Sequence, residues 1–244
     1  MPAQRLDAID ALRGVALVWM ALFHLGFDLN HFGYWKQDFY TDPFWTGQRT
    51  CILGLFLFCA GLGQAVALHQ GQPWARFWQR WGQVAGCAVL VSVGSSFMYP
   101  QSFIYFGVLH GIALMLVITR LTGNWGQWLW LLGALAIGTK FAAAQALDGS
   151  AWAEVLNGRW LNWLGLITRK PVTEDYVPLI PWLGVMWWGM AAGQWLLGNK
   201  PGLLASPLPG LTRPLSLLGR WSLSFYMLHQ PVMIGALMLV GLVA

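Results

Sequence analysis

Asp10, Arg13, His24 and Asp28 stand in an otherwise apolar, helix-length stretch, IDALRGVALVWMALFHLGFD. At the helical advance of 100° per residue they share an arc of about 60°. Ionisable groups are costly inside a bilayer, so such a face points toward a protein interior or a wet cavity. Asp28 follows His24 by one turn, a spacing at which a carboxylate can orient an imidazole and support its protonated form. That pair suits general acid–base chemistry. We read His24 as a general base or acyl carrier and Asp28 as its orienting partner. His110, in FGVLHGIAL, and His229, in SFYMLHQP, also lie within apolar runs at similar depth and are expected to line an acceptor site. The competing reading for each histidine is an ordinary interhelical hydrogen-bond residue. His31 and His69 fall at the ends of runs and carry no chemistry in this reading.

Arginines form the second group. Arg13, Arg76, Arg80, Arg120 and Arg220 fall near run ends on one side, and arginine's planar fork suits phosphate. Arg13, anchored by Asp10 at i,i+3, is expected to hold donor phosphates together with Arg76, Arg80 and Arg220. Topological charge and snorkelling are the competing explanations. Arg13 and His24 are about 16 Å apart by helical rise. A phosphorylated cytosolic ligand at one end and an acid–base centre deeper in fit an acyl-CoA donor. Its pantetheine arm would reach the midplane, and an acceptor would enter from the far side. Arg49, Tyr176, Trp182 and Gln230 are expected around that acceptor. Cys51, Cys59 and Cys87 have spacings that match no metal or disulfide framework, so they read as packing residues and no metal is expected.

The elements that must position these groups are membrane helices. The 244-residue chain is 57% hydrophobic and only 9% charged, against about 25% charged in soluble domains. Its 17 tryptophans suit interfacial belts. The net charge of +5 lies in short loops between apolar runs, which excludes a nucleic-acid patch. Runs long enough to span occur near 11–29, 48–68, 82–98, 103–120, 125–147, 179–198 and 220–243. Residues 150–178 read as an interfacial piece and loop. The first run has no A-x-A-like exit and is expected to remain as a helix rather than a cleaved signal. With the N-terminus cytoplasmic, eight basic residues (Arg5 among them) and two acids lie inside, against six basic residues and seven acids outside. That asymmetry follows the positive-inside rule. The predicted fold is all-α: a polytopic bundle of seven transmembrane helices in a single domain, 1–244, with its C-terminus extracytoplasmic. Gly61, Gly63, Gly184 and the Gly189/Gly193 GxxxG mark close helix packing and leave a homodimer open.

RLDAIDALRGVALVWMALFH resembles the R-x-x-x-[IL]-D-x-[LF]-R-G opening of the transmembrane acyltransferase superfamily. LFLFCAGLGQA, FGVLHGIAL, DYVPLIPWLGVMWWGM and LGRWSLSFYMLHQPV are similar to blocks of its bacterial DUF1624 branch, related to the heparan-α-glucosaminide N-acetyltransferase catalytic domain. The resemblance implies acetyl transfer from cytosolic acetyl-CoA to an extracytoplasmic, saccharide-like acceptor at a bacterial inner membrane. It places His24 at the first-helix catalytic histidine of the related O-acyltransferases, and Arg13 at the arginine of the RG pair. In the lysosomal enzyme the catalytic histidine lies in the first luminal loop, where this chain has His31. A proton-coupled transporter, with the histidines as a relay, is the alternative. The lack of inverted repeats argues mildly against it.

Overall fold

The apolar runs fold as helices whose ends are set by local signals. The computed structural model describes residues 6–206 and 209–243; Arg5, counted above among the cytoplasmic charges, lies outside them. In chain order the helices are α1 (Asp7–His31), α2 (Pro43–His69), α3 (Trp74–Met98), α4 (Val108–Leu121), α5 (Trp128–Leu147), α6 (Ala151–Asn157), α7 (Leu179–Asn199), α8 (Pro201–Ala205), α9 (Arg213–Arg220) and α10 (Ser222–Val243). Short 3-10 turns occur at Gly123–Trp125, Asn162–Leu164 and Gly210–Thr212. Asp7 and Asp10 occupy the first turn of α1, where negative charge complements the helix dipole. Pro73 caps α3 and proline opens α8, positions where a missing N–H is harmless.

A helix occupies each of the seven predicted runs. Among the described residues, five helices are long and apolar enough to cross a membrane: α1, α2, α3, α5 and α10. α4 has only 14 residues. α7 has 21, but its four tryptophans, Pro181 and Gln194 dilute its apolarity. Residues 150–178 hold α6, the Asn162–Leu164 turn and loop, with no further long helix.

The described chain divides into two units, with the boundary inside α2. One contains α1, the start of α2 up to Phe56, and α8 to α10. Its core is Leu17, Met20, Phe23, Phe39, Trp45 and Ile52. The 32–42 loop returns Phe39 into this core, where its ring stacks on Trp45 at 4.1 Å between centroids. α9 lies close against α1. A Cβ on Gly14 would sit 2.7 Å from the Leu215 carbonyl carbon, and one on Gly219 would sit 2.7 Å from that of Asp10. Only glycine allows that approach at both positions.

The other unit, Leu57–Asn199, contains the end of α2 and α3 to α7. Its core includes Ala65, Leu129, Met190 and Ala191. α7 uses small residues on two sides. Gly184 meets Gly133 of α5, while Gly189 and Gly193 meet Phe58, Leu62 and Ala65 of α2. The GxxxG that left a homodimer open is therefore occupied within the chain, because α2 needs the same small-residue face. Trp81 Nε1 donates to the Ala113 carbonyl at 2.9 Å, tying α3 to α4. Phe106 and Tyr176 form an isolated parallel bridge. None of the three cysteines is in a disulfide; Cys59 is buried, whereas Cys51 is exposed.

Candidate active site

The register of α1 places Asp10, Arg13, His24 and Asp28 on the side that meets α9 and α10. At its first turns, Arg13 NH1 donates to Asp10 Oδ1 at 2.7 Å. Arg220 of α9 donates to Asp7 Oδ1 at 2.7 Å, and its Nε lies 3.9 Å from Asp10 Oδ2. Among the described residues, two guanidinium and two carboxylate groups meet here, on α1 and α9. Arg13 and Arg220 are not bare cations waiting for phosphate, as the sequence suggested. Arg220 bridges α9 to α1 through Asp7, while Arg13 pairs with Asp10 within α1.

Three turns further along, His24 meets His229 of α10, with ring centroids 5.2 Å apart and planes at 61°. His229 Nδ1 faces two backbone carbonyls, Tyr226 at 2.8 Å and Phe225 at 3.2 Å. Carbonyl oxygens only accept, so Nδ1 carries the hydrogen and the neutral ring keeps its lone pair on Nε2. His229 Nε2 and His24 Nδ1 are both buried, and neither has a hydrogen-bond partner among the described residues. Phe225 stacks on His229 at 5.8 Å, and Phe23 meets His24 edge-on at 5.9 Å. An aromatic frame therefore holds two imidazoles in contact, each with a buried nitrogen that has no hydrogen-bond partner among the described residues.

Asp28 does not orient His24. It is buried, and Gln230 of α10 donates to its Oδ1 at 3.2 Å; Oδ2 has no partner among the described residues. The neighbouring helix supplies an amide donor, while the His24 ring turns toward His229. Gln230, expected at the acceptor's mouth, thus donates to one oxygen of this carboxylate.

The remaining predicted residues lie in the other unit, apart from Arg49, which is exposed on the first part of α2. His110 is committed at both nitrogens. Gly107 N–H donates to its Nδ1 at 3.3 Å, so Nε2 bears the hydrogen and faces Ser92 Oγ at 3.0 Å. Ser92 passes the chain on to the Ile104 carbonyl at 2.6 Å. Both the lone-pair and the N–H position of this ring, expected to line the acceptor site, are thus used at the start of α4. Asp175 also caps this start, accepting from Val108 N–H at 2.7 Å. Arg120 is buried, donates to the Gln72 carbonyl and lies over the Trp74 and Phe77 rings. Arg76 and Arg80 are exposed near the start of α3, and Arg80 NH1 donates to Gln83 at 3.2 Å. Trp182 is half-buried in α7. Tyr176 donates its hydroxyl to the Asn162 carbonyl, and burial, with Tyr105 beside it, pushes its phenol well above the usual range.

Sequence reading did not single out Tyr105, Arg159 and Asn162, which the structure gathers in one cleft. The signal was present: Asn162 is the one amide in WLNWLGL, and Arg159 is a lone cation beside it.

Residues 5–231 match the profile of the family described as heparan-alpha-glucosaminide N-acetyltransferase, catalytic. No curated protein and no solved structure matches the chain.

Proposed function

The chain belongs to the heparan-alpha-glucosaminide N-acetyltransferase catalytic family, whose activity is membrane acetyl transfer, and from that premise we propose that it moves an acetyl group from cytosolic acetyl-CoA to a saccharide acceptor on the other side of the membrane. The family uses acetyl-CoA as donor in general. The observation that carries the reading is the contact between His24 and His229, with a buried, unpartnered nitrogen on each ring. One imidazole takes the proton of the acceptor hydroxyl or amine. The acceptor oxygen or nitrogen attacks the thioester carbonyl, the carbon–sulfur bond breaks, and the imidazolium returns the proton to the departing sulfur. The products are an acetyl ester or amide and free CoA. A base placed in this way contributes about 10²–10⁴-fold in rate.

The donor's phosphates are assigned to arginines of the cytosolic helix ends, of which Arg76 and Arg80 are exposed; Arg13 pairs with Asp10 and Arg220 with Asp7. The proposed topology has seven crossing helices in one functional domain, with the N-terminus in the cytoplasm of a bacterial cell and the C-terminus outside.

Purified protein in detergent, given acetyl-CoA and a panel of amino sugars and neutral sugars, tests the reading. His24→Ala and His229→Ala each reduce transfer by roughly 10²–10⁴-fold, with melting curves showing folded protein. Transfer at the wild-type rate by folded His24→Ala overturns the assignment. Proton-coupled uptake into vesicles without any acyl donor would favour a transporter instead.

A further inference from the structure

The segment that follows α3 and the α6–α7 connection enclose a cleft of about 270 Å³ within the Leu57–Asn199 unit. It opens where α3 and α5, both long and apolar enough to cross a membrane, have just ended, at Met98 and Leu147. Helix ends of this kind meet the lipid headgroups. The side chains around the cleft suit that layer. Trp160, next to Arg159 in the chain, is 90% exposed, and Val172, which lines the cleft, is 79% exposed. Tryptophan settles at the membrane–water boundary because its ring is apolar and its N–H is polar.

Arg159 is the one charged residue among those lining the cleft. Its guanidinium lies over two rings, 4.6 Å from the Phe103 centroid and 4.7 Å from that of Tyr105. Such stacking holds the group flat and leaves its N–H edge for an acceptor, and a planar fork matches phosphate oxygens. Tyr105 adds a second donor. Its hydroxyl accepts from Asn162 Nδ2 at 2.7 Å, which leaves the phenolic hydrogen to be given elsewhere. Burial pushes that phenol up, so it keeps its proton at neutral pH. Asn162 itself is 2% exposed, and its Oδ1 has no partner among the described residues. A buried amide oxygen without a donor carries a penalty that a ligand hydroxyl would relieve. Asn157, also at the cleft, does not compete. Its Nδ2 and Oδ1 are committed to Thr168, and Oδ1 also accepts from Arg169 N–H.

This charge pattern discriminates among headgroups. A phosphodiester satisfies both Arg159 and Tyr105. No carboxylate lines the cleft, so an ammonium group would enter beside the Arg159 charge with nothing to offset it. A neutral hydroxyl meets only the Asn162 amide oxygen. We propose that the cleft is the headgroup site of an anionic glycerophospholipid with a hydroxylated arm, its phosphodiester on Arg159 and Tyr105 and an arm hydroxyl on Asn162. The volume lies just below the usual range of about 300–1,000 Å³ for small-molecule pockets. It holds the headgroup and leaves the acyl chains outside, against Trp160 and Val172. The α6–α7 connection is thereby fastened to the bilayer surface. The site lies within one unit of the chain and stands independently of the acetyl-transfer reading.

Native mass spectrometry of the full chain in detergent, without acetyl-CoA, tests this. The ligands are phosphatidylglycerol, phosphatidylethanolamine and phosphatidylcholine of equal chain length, and glycerophosphoglycerol, the same headgroup without acyl chains. Phosphatidylglycerol binds about tenfold or more tightly than either zwitterionic lipid. Arg159→Gln weakens phosphatidylglycerol binding by roughly ten- to hundredfold, as loss of a charge-assisted hydrogen bond implies, and Arg159→Lys restores part of it. Arg159 is exposed, and melting curves that match the wild type show these variants folded. No phosphatidylglycerol binding, equal binding of the three lipids, or insensitivity to Arg159→Gln each overturns the proposal. Binding of glycerophosphoglycerol as tight as that of phosphatidylglycerol also overturns it, since it marks a site for a soluble phosphodiester.

Discussion

Gly219→Ala adds one methyl group at the closest approach of α9 to α1. The new Cβ would sit 2.7 Å from the Asp10 carbonyl carbon and 3.1 Å from its Cα, where ordinary contact begins near 3.4 Å. Both obstacles are backbone and the Asp10 carbonyl oxygen lies closer still, so no rotamer change relieves them, and α9 must move away by about 1.5 Å. That displacement also stretches the 2.7 Å pair between Arg220 and Asp7. Overpacking of this kind costs about 1–3 kcal/mol; a backbone clash belongs at the upper end. Alanine's better helix propensity returns about 1 kcal/mol. The net loss is about 2 kcal/mol, which for a chain of this size lowers the melting temperature by roughly 4–8 °C. Thermal unfolding in detergent, followed by tryptophan fluorescence, measures it. Gly198→Ala in α7 is the control, since nothing lies within 4 Å of its added Cβ, and its melting temperature stays level or rises slightly. If Gly219→Ala melts with the wild type, α9 does not pack on α1 as described, and the charge cluster built on that contact fails with it.

Other perturbations separate structural from chemical roles. Gln230→Leu leaves the buried Asp28 carboxylate without its donor and destabilises by about 1.5–3 kcal/mol; adding Asp28→Asn to that variant recovers most of the loss in the same melting assay. Ser92→Ala frees His110 Nε2 and the Ile104 carbonyl, lowering stability by about 1–2 kcal/mol while leaving acetyl transfer per folded molecule unchanged. Asp38 lies outside the membrane helices, where the Thr41 hydroxyl and the Thr41 and Tyr40 amides hold its carboxyl below the usual range. A depressed carboxylate stabilises fully above its unfolded value of about 3.9 and loses that contribution as pH falls through its lower folded value. Melting temperature measured from pH 6 down to pH 2 therefore falls more steeply in the wild type than in Asp38→Asn.

How far the sequence reached is clearest on α1. Its four polar residues were legible as one face, because a fixed rise and rotation per residue set their relative directions before any neighbour is known. The family was legible from five ordered motifs, and the membrane class from the scarcity of charge. Gly184, Gly189 and Gly193 were legible as packing positions, because only small side chains let backbones approach. What each of these residues meets was decided by the tertiary structure. Arg13 and Asp28 read as a phosphate holder and a histidine orienter; in the structure Arg13 pairs with Asp10 one turn back and Asp28 with Gln230 of another helix. His110 read like the other intramembrane histidines, yet Gly107 and Ser92 occupy its two nitrogens. His229 gained its defined tautomer from two carbonyls on its own helix and its ring contact with His24 from another. Helical periodicity fixes direction along one element. Partner identity depends on which helices cross, how closely and in what register, and these follow from packing between segments as much as two hundred residues apart, as Asp28 and Gln230 are.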